Sequence, residues 1–399
     1  MYSIINGLYE LFINVNSERQ KLEFGVLQKT PDLYNSIKGL INQQSELSPT
    51  LNKLVDYFRN LNENEYFYFI PEMNGSKLNS EMMRWVNACL ISLHDNKNVD
   101  KVHEELRDYW NIREVYSLET FGKHREVIGE PNKQIRICRF CKKGIIDGVT
   151  FKTKAHAISE ALGNKDLILC EECDQCNNKF GKTIEPDIIS FLSLYRTMFG
   201  VKGKGGEKDF KGKLFHVTRT GSGLNVKING KPESEPGTMP YRLRFQADTK
   251  LVSQNIYKAL CKYFLSVVKT SELIFFQKTI DWINGDVDLD FLPVIAELMY
   301  NNPSMSTPIL RTYIRTDSDE TLPYAVGEFH FTAYMYVFIV PLCSNDTKKF
   351  INGEEYMRFW SFFKTYHEMG EWKYRDFSAK EPKDFGISLK FVENDGHKN

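Results

Sequence analysis

Two Cys-x-x-Cys pairs constrain this chain more than any other feature. CRFC occupies 138–141 and CDQC occupies 173–176, with thirty-one residues between them. Each such turn aims two thiolates at one ion, and two turns fill the four positions of a tetrahedral zinc. With all four positions taken by sulfur no site is left for water, so the ion is expected to be structural. It would pin a loop-rich segment whose own core is small. Cys170 and Cys173 form a further valid pair, so Cys170 competes with Cys176. We take Cys138, Cys141, Cys173 and Cys176 as the ligands, because the second pair in such sites commonly opens a helix and NNKFGKTIE continues as one.

At 399 residues the chain exceeds one ordinary core, and two or three domains are expected. Lys plus Arg balances Asp plus Glu at 52 each, which argues against coating nucleic acid by bulk charge; binding to phosphate must come from local segregation. MYSIINGLYELFINV has no basic start and no small-residue cleavage site, and no apolar run reaches spanning length, so a cytoplasmic protein without a membrane partner is expected. Disulfides are rare in that compartment, and five of the eight cysteines lie between Cys138 and Cys176, which favours metal ligation. Cys89, Cys261 and Cys343 lie on apolar faces and read as core residues.

The expected fold class is α+β: a central zinc-braced module flanked by a helical N-terminal domain and a mixed α/β C-terminal domain. The boundaries are 1–130, 131–200 and 201–399. Helical stripes run through Leu33, Ile37, Leu40 and Ile41; through Leu51, Leu54, Val55 and Phe58 after Pro49; through Met82, Trp85, Val86, Cys89 and Leu90; and through Val102, Leu106 and Trp110. They read as core packing and carry no chemistry. Beyond the module, a helix is predicted over 188–198, a glycine- and lysine-rich loop from Gly200, and a hairpin of KLFHVTRT and LNVKING. Asn255 to Val268 reads as an amphipathic helix, and 307–314 and 329–340 as strands.

Read as a strand, Val149 to Ile158 places Phe151, Thr153, Ala155 and Ala157 on one face and Lys152, Lys154 and His156 on the other. A histidine beside two lysines suits a phosphodiester better than a core: the lysines attract backbone charge, and a neutral imidazole can deprotonate water.

The run CRFC…TFKTKAHAISEALGN…ECDQCNNKFGKTIE resembles the HNH endonuclease family, built on the ββα-metal fold, in its zinc-containing branch. Similar proteins often serve bacterial anti-phage defence or restriction. The resemblance implies that His156 is the general base and that Asn177, at the start of the helix, holds a catalytic Mg2+ or Mn2+, with Asn178 as the alternative ligand. It implies Asn164 as the middle asparagine that fixes the loop and orients the histidine. Glu185, two turns beyond Asn177, either ligates that ion or braces a lysine. Many family members carry an acid or histidine immediately before the base, where this chain has Ala155. Either one protein ligand with waters and phosphate oxygens suffices, as magnesium tolerates, or Glu160 or Glu185 substitutes.

The implied reaction is phosphodiester hydrolysis in DNA leaving 5′ phosphates. Local charge agrees: 133–154 carries seven basic residues against Asp147, and Arg196 to Lys213 six against Glu207 and Asp209. Lys152, Lys154, Lys202 and Lys204 are the expected backbone contacts. The stretch 200–206 reads equally as a solvated linker. A second copy of the chain or a partner protein of a defence system is a further expected partner. The competing readings are a zinc-stabilised nucleic-acid-binding module without cleavage, which Ala155 supports, and a zinc knot that only joins two domains.

Overall fold

The computed structural model describes residues 11, 13–16, 21–24, 26–42, 52–68, 80–212, 215–221, 223–228, 241–246, 249–299, 307–363 and 370–391. Pro49, Leu51 and Lys213 lie outside the described residues, as do the side chains of Met82 and Trp110. The chain divides into two compact units, Met1–Glu114 and Val115–Asn399.

The first unit carries strands β1 (Ile13–Asn16), β2 (Lys21–Phe24) and β3 (Val26–Gln28), then helices α1 (Pro31–Asn42) and α2 (Asn52–Asn60), strand β4 (Tyr66–Tyr68), and helices α3 (Ser80–Asp95) and α4 (Val99–Val115). Pro31 stands at the first helical position of α1, and the Thr30 hydroxyl accepts from the Leu33 N–H, a cap for an otherwise orphaned donor. Ile37, Ile41, Val55, Phe58 and Phe67 form the core beneath α1 and α2. Two short antiparallel pairs, β1 with β2 and β3 with β4, correct the purely helical expectation. Phe67 shows why: its strand delivers an apolar side chain to the same core. Cys89 is half-buried rather than buried.

The second unit is built on a six-stranded antiparallel sheet. Its strands belong to the series β5 (Tyr116–Phe121), β6 (Glu126–Ile128), β7 (Ala155–His156), β8 (Leu167–Leu169), β9 (Phe210–Lys211), β10 (Phe215–Thr220), β11 (Gly223–Ile228), β12 (Tyr241–Gln246), β13 (Ile295–Met299), β14 (Ile309–Arg315), β15 (Ala325–Phe331), β16 (Tyr334–Ile339), β17 (Lys373–Arg375) and β18 (Gly386–Phe391). The order in the large sheet is β17-β13-β16-β15-β14-β5. The helices are α5 (Asp174–Thr183), α6 (Glu185–Phe191), α7 (Ser193–Met198), α8 (Ser253–Val267), α9 (Gln277–Asn284) and α10 (Gly353–Phe362).

Strands β15 and β16 are buried along their whole length because both faces of the sheet are covered. Helix α8 covers one face, with Tyr257 against Phe338 and Tyr263 against Phe329. Phe363, just after α10, meets Tyr116 and Tyr313 on the other. Gly327 is required in this sheet: a Cβ there would fall 2.2 Å from the ring of Phe338, its partner in register. The single strand expected over 329–340 is in fact two, turned at Thr332–Ala333. Thr332 takes a positive φ of 52°, which lets the chain reverse inside an apolar run that carries no glycine or proline. The hairpin β10–β11 and the helix α8 form where the pattern put them.

The segment with the paired cysteines is an α+β module within this second unit. It consists of a small mixed sheet ordered β6-β8-β7, followed by α5 and α6. The strands β7 and β8 with α5 give a ββα succession. Its interior is continuous with the rest of the unit: Phe140, Phe180 and Ile188 share one core with Leu260, Phe264, Trp282 and Phe329. Tyr116–Phe121 likewise joins the large sheet through the pairing of β5 with β14. Among the described residues, no helix is long and apolar enough to cross a membrane.

Candidate functional site: a four-thiol cluster beside a half-buried histidine

The first thiol pair sits in a knuckle. The Cys138 N–H donates to the Lys143 carbonyl, the Lys142 N–H donates to the Cys138 carbonyl, and Lys142 adopts a φ of 59° at the turn. The second pair opens α5. Cys173 is the N-cap, and its sulfur accepts from the Cys176 N–H at 3.5 Å; the Cys173 N–H in turn donates to the Cys138 sulfur at 3.4 Å. The sulfurs of Cys138, Cys141, Cys173 and Cys176 all lie within 4.8 Å of one another, and those of Cys141 and Cys173 are 3.7 Å apart. A Zn–S bond of about 2.3 Å in tetrahedral geometry separates sulfurs by about 3.8 Å, so the cluster fits such an ion. Cys170 is not part of the cluster.

The expected strand over 149–158 shrinks to Ala155–His156. Asp174, the first residue of α5, is the reason. Its carboxylate accepts the Lys152 N–H at 3.0 Å and the Thr153 N–H at 2.8 Å, and also both threonine hydroxyls, of Thr150 and Thr153. This holds 150–153 as a loop over the helix start. Burial would raise the Asp174 carboxyl, but these bonds outweigh it and hold the group well below the usual carboxylate range. Thr153 is therefore exposed rather than in-facing, while Phe151, Ala155 and Ala157 are buried. Lys152 and Lys154 face solvent.

His156 is half-buried on the edge strand β7. The Ala157 N–H donates to the Leu167 carbonyl across the pair, so in an antiparallel ladder the intervening His156 peptide groups point off the sheet. Its outward carbonyl accepts from the Lys262 ammonium, 106 residues away on α8, at 3.3 Å. Burial lowers the His156 imidazole from its ordinary value, Lys154 and Lys262 push it further down, and Glu160 and Glu185 oppose them. Asn164 is buried and closes the connection between β7 and β8. Its amide donates to the carbonyls of Ile158 (2.7 Å) and Leu167 (3.1 Å), and its oxygen accepts the Leu167 N–H. In α5, Asn177 is half-buried and Asn178 exposed.

Glu185 braces a lysine: its carboxylate lies 3.2 Å from the Lys262 ammonium. The same ammonium lies 3.1 Å from Glu172, and both of those side chains are essentially inaccessible. Neither Glu172 oxygen has a well-aligned hydrogen-bond donor, so the contact is an ion pair by proximity. Burial pushes Glu172 up to about 7 against the pull of Lys262. The two carboxylates raise the Lys262 ammonium although burial acts against it. Sequence reasoning missed Glu172, Lys262 and Asp174. The available signal for Lys262 was a lysine inside a helix that is apolar nearly all round, which demands a buried acidic partner.

The glycine-rich turn lies against this region. Gly203 is buried and pairs with Gly206, and a Cβ on it would stand 3.1 Å from the Ala161 Cα. Lys202 and Lys204 are exposed, and Lys202 pairs with Glu207 at 3.6 Å.

Comparison with protein families matches residues 138–192 to the family described as HNH endonuclease. Curated proteins and solved structures give no match. The thiol cluster, the ββα succession and that match coincide on one stretch: residues 138–192 are an HNH endonuclease module of the branch that carries paired Cys-x-x-Cys turns.

Proposed function

We propose that this chain is a metal-dependent endonuclease that hydrolyses phosphodiester bonds in DNA, acting as an effector of a defence system in the cytoplasm. The observation that carries the reading is the position of His156 within the matched segment: half-buried, just after the exposed Lys152 and Lys154, and kept toward its neutral form by burial. Neutral imidazole takes the proton of the attacking water. Lys152 and Lys154, with Lys202 and Lys204 on the neighbouring turn, hold the phosphate backbone. Asn177 holds a divalent ion, with Asn178 beside it; such an ion, magnesium or manganese, would neutralise charge on the phosphate and the leaving oxygen. Asn164 fixes the loop after His156. Glu185 is committed to Lys262 and so is not counted among the ion's ligands. The four thiols hold zinc for structure alone. The regions flanking 131–200, that is 1–130 and 201–399, serve partner binding, self-association or regulation.

Plasmid DNA incubated with magnesium or manganese tests this. Cleavage by the wild type and its loss in His156→Ala are the expected results. Intact DNA and RNA under both ions would sink the reading. The buried Ala155, where many relatives carry a ligand, favours as second reading a module that binds nucleic acid without cutting; retained DNA binding without any cleavage would support it.

A further inference from the structure

We infer that Lys262 is a positioning residue for the His156 base, supplied from outside the family segment. This rests on the endonuclease reading above. The observations are geometric. His156 lies on a two-residue edge strand, and the sheet that holds it satisfies only one side of that strand. The outward carbonyl of His156 would be left without a strand partner, and the ammonium of Lys262 occupies that position at 3.3 Å. Lys262 is itself fixed: it is fully buried on α8 and sits between the carboxylates of Glu172 at 3.1 Å and Glu185 at 3.2 Å. Glu172 immediately precedes the thiol ligand Cys173, and Glu185 opens α6. One ammonium thus joins the β7 peptide, the second thiol pair and the helix after α5 into one rigid frame.

A buried cation with two carboxylates costs desolvation that an apolar trio would avoid. Packing alone does not explain its presence, because α8 already buries apolar side chains around it. Two consequences follow for the base. The peptide that carries the imidazole cannot shift along the open edge of the sheet. The imidazole also feels a fixed positive charge, alongside Lys154 and against Glu160 and Glu185, that disfavours its protonated form.

The test is the charge-balanced double variant Lys262→Met with Glu172→Gln, which removes one cation and one anion together. Zinc content and thermal unfolding establish that it folds. For the folded, zinc-loaded variant we expect kcat on a DNA duplex to fall about 10- to 100-fold, as misplacement of a catalytic group by up to about 1 Å costs, with KM little changed. The His156 imidazole titration, followed by NMR with labelled histidine, should move upward. Glu172→Gln alone keeps the ammonium on His156 and should lose much less. A merely structural lysine would lower thermal stability while leaving the kcat of folded protein and the imidazole titration where they are in the wild type, and that result overturns the inference. If the double variant does not fold, Lys262→Gln with Glu172→Gln keeps a neutral donor in the same space and is judged by the same two readouts. A wild type that cuts no nucleic acid overturns the endonuclease reading alone, since the imidazole titration needs no substrate and still decides the role of Lys262.

Discussion

Arg139 and Glu171 form an ion pair of 2.8 Å with both side chains almost wholly buried, although they lie 32 residues apart. Arg139 stands inside the first thiol pair and Glu171 just before the second. Nη1 reaches the end of α8, bonding the carbonyls of Leu265 at 3.0 Å and Val268 at 2.6 Å, while Nη2 donates to the Thr270 hydroxyl at 3.3 Å. The carbonyls are among the last of the helix, which have no partner within it. The knuckle of the first thiol pair and the principal buried helix are therefore tied by one side chain.

Arg139→Met leaves Glu171 as a buried carboxylate without its cation, and removal of one member of such a pair costs about 3–5 kcal/mol. Urea denaturation should show that loss. The double variant Arg139→Met with Glu171→Gln should recover a substantial part of it. Two single losses that simply add in the double variant would show that the pair is not coupled.

The thiol cluster separates two cysteines that the spacing alone could not. Cys176→Ser should lose the tightly bound zinc and unfold at lower temperature, because the binding energy of a structural ion is folding energy. Cys170→Ser should keep about one zinc per chain, since Cys170 stands outside the cluster. Metal analysis of the two variants reads the difference. Zinc retained by Cys176→Ser and lost by Cys170→Ser would reverse the assignment.

His156 sets the expected pH dependence. With His156 as the proposed base the working form is neutral imidazole, and burial beside Lys154 and Lys262 lowers its folded value below the usual figure of about 6.5. Lowering it extends the neutral form toward acid, so kcat/KM should decline as pH falls through a midpoint below about 6.5. A midpoint above that figure contradicts the burial argument. Replacement by alanine should cost about 10²–10⁴-fold, and the residual rate should lack the acid limb.

What could be read before folding follows from range. The paired thiols, the hairpin β10–β11 and the stripe of α8 are written in residues a few positions apart, where turn geometry and helical period fix the outcome. The strand over 149–158 failed because alternation is only a local preference. Asp174, more than twenty residues on, offers the backbone of 152 and 153 a better set of bonds. The turn at Thr332 failed for the opposite reason: both strands beside it are buried on two faces, so no glycine, proline or exposed polar run marks the reversal. For Lys262 the apolar helix around it signals a buried partner but not which one, since its three partners, Glu172, Glu185 and His156, are contributed by distant parts of the chain.

The exposed lysines make the last prediction, and it rests on their unequal surroundings. Lys152 and Lys204 are exposed with no salt-bridge partner in reach among the described residues, whereas Lys202 is 3.6 Å from Glu207. A lysine that neutralises a phosphate releases a counterion, and each such contact contributes about 0.9 to the slope of log affinity against log salt on duplex DNA. Lys152→Ala and Lys204→Ala should each weaken duplex binding several-fold at low salt and reduce the slope by about one. Lys202→Ala should do less, because that ammonium must first leave Glu207. Glu207→Gln should strengthen binding for the same reason. The loss should be equal on unrelated sequences, as contacts to the backbone carry no base readout. Titration of a fluorescent duplex across a salt series measures all four variants. Slopes unchanged in Lys152→Ala and Lys204→Ala would remove these two residues from the interface, while a loss confined to one sequence would mean that they read bases.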